Sequence, residues 1–473
     1  MTAPRPIAHY TPRQHWMNDP NGLVYRDGRF HLFYQYNPRG IDWGNMSWGH
    51  ATSPDLITWT ERRVAIECTP EEAVFSGSVV VDRGATSGWG SPERPALVAI
   101  YTGVAPDGRQ AQCLAVSLDD GATWTRHPDN PVLDRGSSAF RDPKVFWFAH
   151  PGSSDGHWVM VAVEAERRQV LIYRSADLRA WSPVGTVEAV GETEQLWECP
   201  DLFALDTGTR TVWVLVISVN PDEDGDGSAT RYLVGDFDGE TFVPTDPIWR
   251  RLDAGHDCYA LVTFDSAPDG RRIGIGWMSN WAYAREVPTQ PWRGVMTVPR
   301  ELGARERDGE VVLLQRPLVA DVPATADADG WRGVPGVGTR ATIATASAFR
   351  LDLDLALDAD ARLRWSLRAG DGSELRVELD GAGTLTVDRR HALGALITTD
   401  LTRTVTRLPL PLAVVGLTLV VDTTSIEVFA LDGEVVVTDA VFPRGAWTSI
   451  TMTAVAGAGR VLDARYRPLG AAR

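Results

Sequence analysis

Ser53-Pro-Asp-Leu-Ile-Thr-Trp59, Ser117-Leu-Asp-Asp-Gly-Ala-Thr-Trp124 and Ser175-Ala-Asp-Leu-Arg-Ala-Trp181 are versions of one box, with a degenerate copy at Gly235-Asp-Phe-Asp-Gly-Glu-Thr-Phe242. Recurrence at roughly 60-residue intervals marks a chain built from repeated supersecondary units. Ser and Asp side chains hydrogen-bond turn backbone, and the closing aromatic can pack between units, so the box reads as a turn without chemistry of its own. Between the boxes run β-rich segments, Phe30–Tyr34, Ala96–Tyr101, Trp158–Val163, Val212–Ser218 and Ile273–Trp277, and long helical periodicity is absent. Four strands of about five or six residues, plus turns, fill one repeat, and about five repeats fit the first part of the chain. The expectation is an N-terminal five-bladed β-propeller over residues 1–305.

From Glu301 to Ala328 the character shifts to a charged and then Ala/Asp/Pro-rich stretch, and 306–330 is expected to be a linker. Beyond it, apolar and polar residues alternate in Phe349–Leu357, Leu363–Leu367, Leu375–Leu379 and Ile426–Leu431, the pattern of strands with one buried face. Residues 331–473 are therefore expected to form a C-terminal β-sandwich, making the whole chain all-β. Packing against the propeller is the simpler role for it, since function resides in sites and not in folds.

Composition removes several classes of function. The chain has 46 basic and 62 acidic residues, a formal charge of −16, and its one lysine is Lys144. The scattered arginines and acidic excess oppose a nucleic-acid backbone. The longest apolar stretch, Leu408 to Val421, is broken by Pro409, Pro411 and Gly416 and is too short for a membrane helix. Cys68, Cys113, Cys199 and Cys258 lie far apart with no metal-ligand spacing, which suits a reducing compartment. The start, Met1 to His9, lacks the apolar core of a signal peptide, so a cytoplasmic location is expected, or secretion if a leader has been removed. Eighteen tryptophans point to carbohydrate, because flat rings stack on sugar faces.

Three acidic motifs keep the repeat spacing: Trp16-Met-Asn-Asp-Pro-Asn-Gly22, Phe140-Arg-Asp-Pro-Lys-Val-Phe146 and Trp197-Glu-Cys-Pro-Asp-Leu-Phe203. Asp19, a turn at Ser76-Gly77-Ser78, Asp142, Glu198 and Asp257 stand about one blade apart, and equivalent positions of a propeller converge on its central channel. Each motif alone is explained by turn formation. Together they suit glycoside hydrolysis, in which one carboxylate attacks the anomeric carbon and a second protonates the leaving oxygen. For Glu198 the apolar neighbours Trp197 and Cys199 would keep that proton in place.

These motifs, with Phe33-Tyr-Gln-Tyr-Asn-Pro38, Trp43-Gly-Asn-Met-Ser-Trp-Gly-His50, Phe75-Ser-Gly-Ser78 and Trp277-Met-Ser-Asn-Trp-Ala-Tyr283, resemble the fructan-cleaving enzymes of glycoside hydrolase family 32. Asp422-Thr-Thr-Ser-Ile-Glu-Val-Phe429 and Asp432-Gly-Glu434 resemble that family's C-terminal sandwich. The resemblance implies Asp19 as nucleophile, Glu198 as acid/base and Asp142 as transition-state stabiliser. Asn18, Gln35, Trp43, Phe75, Ser76, Arg141 and Trp281 would line the subsite of the terminal fructosyl unit, with Trp277 an alternative to Trp281. It also implies retention through a covalent fructosyl intermediate, no metal or organic cofactor, and exo-cleavage of sucrose, fructo-oligosaccharides, inulin or levan. A monomer is favoured. Competing readings are a fructosyltransferase on the same fold, a non-catalytic sugar-binding propeller, and a sialidase. The last lacks an ordered tyrosine nucleophile and arginine cluster. The acidic run Asp222-Glu-Asp-Gly-Asp-Gly227 is spaced like a calcium loop, but Leu233 stands where the closing glutamate belongs.

Overall fold

The computed structural model describes residues 3–470 except 151, 154, 190–194, 222–226, 320–322, 334–335, 395–402 and 410–413, so most of the acidic run lies outside the described residues. Five sheets follow one another along the chain, led by His15–Arg26, Ala73–Asp82, Phe140–Ala149, Leu196–Asp206 and Tyr259–Thr263, antiparallel except where Trp292–Arg293 joins the first leading strand in parallel. Each leading strand packs on the leading strand of the next sheet, and the fifth returns to the first, which closes a ring. Five apolar cores fill the gaps between neighbouring sheets. The first and second, for example, enclose Val24, Phe33, Trp48, Val79 and Leu97, and the fifth and first enclose Leu32, Phe264 and Ile275. A sheet buried on both faces needs near-continuous apolar strands, and the leading strands are buried along most of their length. This is the β-propeller expected from the repeat.

The boxes behave as their letters imply. Asp55 Oδ1 accepts the backbone N–H groups of Ile57 and Thr58, and Trp59 Nε1 donates to Leu56 O. Asp177 and Trp181 repeat the pattern against Arg179, Ala180 and Leu178.

The fifth sheet differs from expectation at its end. Its strands Arg300–Arg307 and Glu310–Pro317 pair in unbroken register, so the sheet extends past 305 into the stretch assigned to the linker. Burial alternates along Arg300–Arg307, a strand pattern that the charged run obscured in the sequence. Further on, a six-stranded and a five-stranded sheet enclose one core built around Trp365, Leu353, Leu419, Val428 and Ile450. This is the β-sandwich.

One face of the five-stranded sheet carries Asp422, Glu427 and Thr438, all buried against the propeller. Arg300 of the fifth blade donates to Asp253 at 2.9 Å, to Glu427 at 2.6 Å and to Thr438 at 2.6 Å. Burial acts to lower the His9 imidazole, but its bonds to Asp422 and Glu427, each 2.9 Å, outweigh that and lift it to about 9. Ionic groups survive here because each charge has an opposite charge within hydrogen-bond reach. Arg300→Met is therefore expected to cost on the order of 3–5 kcal/mol, since Asp253 and Glu427 would be left buried without their cation. Urea unfolding at pH 7 measures it, and a loss below about 1 kcal/mol would remove the network from its structural role.

Candidate active site

Pairing slips at the same place in all five leading strands: between Met17 and Pro20, Val74 and Gly77, Arg141 and Lys144, Glu198 and Asp201, and Tyr259 and Val262. A bulge of this kind takes residues out of the ladder and re-aims their side chains. Asp142, Cys199 and Ala260, each at its bulge, have φ of 62°, 48° and 53°. Gly77 follows the second bulge because a Cβ there would lie 2.1 Å from Ile100 O. The Asn-Asp-Pro and Ser-Gly-Ser motifs are thus bulged strands, not turns, and the bulges deliver their side chains to one place.

That place is a cavity of about 340 Å³ lined by Asn18, Asp19, Gln35, Trp43, Phe75, Ser76, Arg141, Asp142, Glu198 and Trp281, together with Gln110, Asn220 and Arg285. All ten residues singled out from the sequence are in it. Gln110 and Asn220 carry no motif, and only strand register could have found them, Asn220 lying opposite Leu196. Arg285 lies a few residues beyond the Trp277–Tyr283 motif, and nothing in that run of letters distinguishes it. The floor is apolar, with Trp16, Trp277, Cys199 and Tyr259 buried beneath Trp281. Trp281 stacks on Trp16 at 6.0 Å and 26°, and Trp16 Nε1 donates to Asn18 Oδ1 at 2.7 Å. Trp277 lies in the floor, so the residue lining the cavity is Trp281.

Asp19 Oδ2 accepts Ser76 Oγ at 2.8 Å and the Cys199 thiol at 3.6 Å, whereas Oδ1 is buried without a partner among the described residues. Burial, and then the charge of Glu198, raise the Asp19 carboxyl to about 6. Asp142 Oδ2 accepts the backbone N–H of Cys199 at 2.9 Å, and burial pushes this carboxyl up despite the neighbouring Arg141. Glu198 is set differently: Arg141 Nη2 donates to Oε1 at 2.9 Å and the Tyr259 hydroxyl donates to Oε2.

Apolar surroundings were expected for Glu198, and the fold does not provide them. Alternation along the strand sends Trp197 into the core between the third and fourth blades, where it packs on Trp249 at 5.1 Å. Asp257, about one blade beyond Glu198 in the sequence, is also elsewhere. It is buried at the domain junction between Arg389, 2.6 Å away, and Tyr283. Two positions on, Tyr259 is the member of that segment that reaches the site.

Two family models match the chain, the glycosyl hydrolases family 32 N-terminal domain over residues 9–317 and the family 32 C-terminal model over 327–468. A levanase of Bacillus subtilis is 36% identical over 484 residues, covering 98% of this chain and 70% of the levanase. An extracellular exo-inulinase of Aspergillus niger is 35% identical over 506 residues, covering 95% of this chain and 91% of its own. The crystal structure of the exo-inulinase from Aspergillus awamori superposes with a TM-score of 0.88 at 32% identity, covering 99% of this chain and 98% of the other.

A buried carboxyl raised from 3.8 to about 6 leaves folding unaffected at low pH and weakens it as pH rises through 6. Asp19→Asn keeps an acceptor for Ser76 and removes that penalty. It is expected to stabilise the protein by about 2–3 kcal/mol at pH 7.5 and by nothing near pH 4. Urea unfolding at both pH values measures this, and an equal effect at the two would show that the Asp19 charge carries no strain.

Proposed function

The chain belongs to glycosyl hydrolase family 32, and we propose that in this β-fructofuranosidase Asp19 is the nucleophile, Glu198 the acid/base and Asp142 the group that binds fructose hydroxyls. The protein is a retaining glycosidase that releases terminal, non-reducing β-D-fructofuranosyl units. The observation that carries the assignment of roles is that Asp19, whose Oδ1 has no hydrogen-bond partner among the described residues, lines a cavity together with two further carboxyl groups.

In this reading the terminal fructosyl ring sits over the Trp16–Trp281 stack, with Asn18, Gln35, Arg141 and Asp142 within reach of its hydroxyls. Asp19 Oδ1 attacks the anomeric carbon while Glu198 gives its proton to the leaving oxygen, forming a fructosyl ester on Asp19. Glu198 then takes a proton from water, which attacks the ester and restores Asp19. Ser76 holds the non-attacking oxygen of Asp19, which fixes the direction of the other. Arg141 and Tyr259 hold both oxygens of Glu198 and so orient the acid/base. Trp43, 41% exposed at the rim, and Phe75, whose ring lies 5.9 Å from it, border the subsite of the terminal fructosyl unit.

Hydrolysis is preferred over fructosyl transfer because the relatives are a levanase and exo-inulinases, and a non-catalytic propeller would have no use for two buried carboxyl groups, Asp19 and Asp142, that oppose folding at neutral pH. The extracellular relative supports secretion in place of the cytoplasmic location expected from the N-terminal sequence.

Glu198→Gln is expected to lower turnover of sucrose by about 10²- to 10⁴-fold, and much less the first step on an activated aryl fructoside. The fructosyl-enzyme should then accumulate, and azide, which needs no base, should restore turnover. Because kcat/KM requires ionised Asp19, its acid limb should lie near pH 6 and move lower in Glu198→Gln, which removes a charge that raises Asp19. Equal losses on both substrates without azide rescue would assign the acid/base role to another residue. Asp19→Ala should abolish turnover in a folded protein, and activity within tenfold of wild type would remove it as nucleophile. Fructose release from sucrose, inulin and levan, assayed side by side, ranks the linkages.

A further inference from the structure

A second concavity, about 450 Å³, lies at the other end of the first leading strand, where the first blade meets the box loop of the second. Seven residues separate Asp19 from Arg26 on its wall, roughly 20 Å of strand, so it is not part of the catalytic cavity. Four arginines line it. Arg26 is engaged by Asp120 at 3.0 Å and Asp27 at 3.4 Å. Arg29, Arg62 and Arg63 have no carboxylate partner among the described residues, and Arg62 Nε donates only to Thr52 Oγ1 at 3.0 Å.

At the base lie His31 and His50, each 4% exposed, stacked at 5.2 Å with Nδ1 of the first 3.1 Å from Nε2 of the second. Burial, together with Arg62, Arg29 and Arg26 and against the opposing Asp120, brings the His31 imidazole down to about 4, and burial, His31 and Arg62 lower His50. A neutral pair joined by one hydrogen bond has one remaining N–H on its outer nitrogens, and a protonated pair has two. No Trp, Tyr or Phe lines the cavity, so it offers no plate for a sugar ring.

Uncompensated guanidinium groups gathered in one concavity repel one another, and in a chain of net charge −16 they are not a general feature of the surface. Their planar, forked donors match the oxygens of a tetrahedral anion. We propose that this cavity binds a phosphate or sulfate group, gripped by Arg29, Arg62 and Arg63 with the His31–His50 pair donating from below.

The experiment is thermal unfolding and calorimetry of the full chain with sodium phosphate, sodium sulfate, a sugar monophosphate, and sodium chloride at matched ionic strength. Wild type should show a saturable rise in Tm with the tetrahedral anions and not with chloride. Arg62→Gln/Arg63→Gln should bind at least tenfold more weakly with turnover on sucrose unchanged. Tighter binding of the sugar phosphate would place the group on a small metabolite and the reverse order would make the free ion the ligand, each in support of the site. Identical shifts with chloride, an unaltered double variant, or competition between phosphate and fructose would overturn it, the last by moving the anion to Arg141 and Arg285.

Discussion

Three carboxyl groups held together in one cavity, two of them buried, are the constraint around which the propeller is arranged. Burial and mutual repulsion push Asp19 and Asp142 upward, so each is placed against folding at neutral pH. What offsets this is local and specific. One arginine, Arg141, sits among the three, the backbone N–H of Cys199 meets Asp142, and Ser76 meets Asp19. Polar groups in a low-dielectric pocket interact strongly in both directions, which is why the same site is costly to fold and effective on charge that develops in a reaction.

The bulges make this arrangement geometrically possible. A regular strand would continue its ladder through Asn18, Asp142 and Cys199 and leave their side chains between the blades. The slipped register at this place in each leading strand turns them toward the channel mouth instead, and the left-handed backbone at Asp142, Cys199 and Ala260 is part of the same device. Deeper in the channel, Lys144 meets Asp201 at 3.0 Å and Thr263 as well, joining the third, fourth and fifth blades beneath the site.

The sandwich reaches the site indirectly. Arg389 meets Asp257 and Tyr283, and Tyr283 belongs to the segment that carries Trp281 and Arg285. Asn280, next to Trp281, donates to His256 O at 2.8 Å, and His256 is bonded to Asp439 of the sandwich. An aromatic wall of the cavity therefore depends on buried ion pairs between the two domains, a rigid support of the kind a preorganised site needs.

The sequence alone determined the repeat, the propeller, the sandwich and the three acidic residues of the cavity through local chemistry, namely box turns, strand alternation, and acidic motifs in fixed aromatic frames, and the other seven cavity residues were legible only through the resemblance to family 32. Strand boundaries inside the sandwich, such as Phe349–Leu357, were equally legible from alternation. Tertiary structure alone decided the extent of the fifth blade, the partners of Glu198, the displacement of Asp257 to the domain junction and the entry of Gln110, Asn220, Tyr259 and Arg285 into the site. Each of these depends on which residue of another strand lies opposite, and a one-residue change of register sends a side chain to the other face. The gathering of Arg26, Arg29, Arg62 and Arg63 around two buried histidines is of the same kind, since it needs two blades brought side by side and no single stretch of sequence contains it.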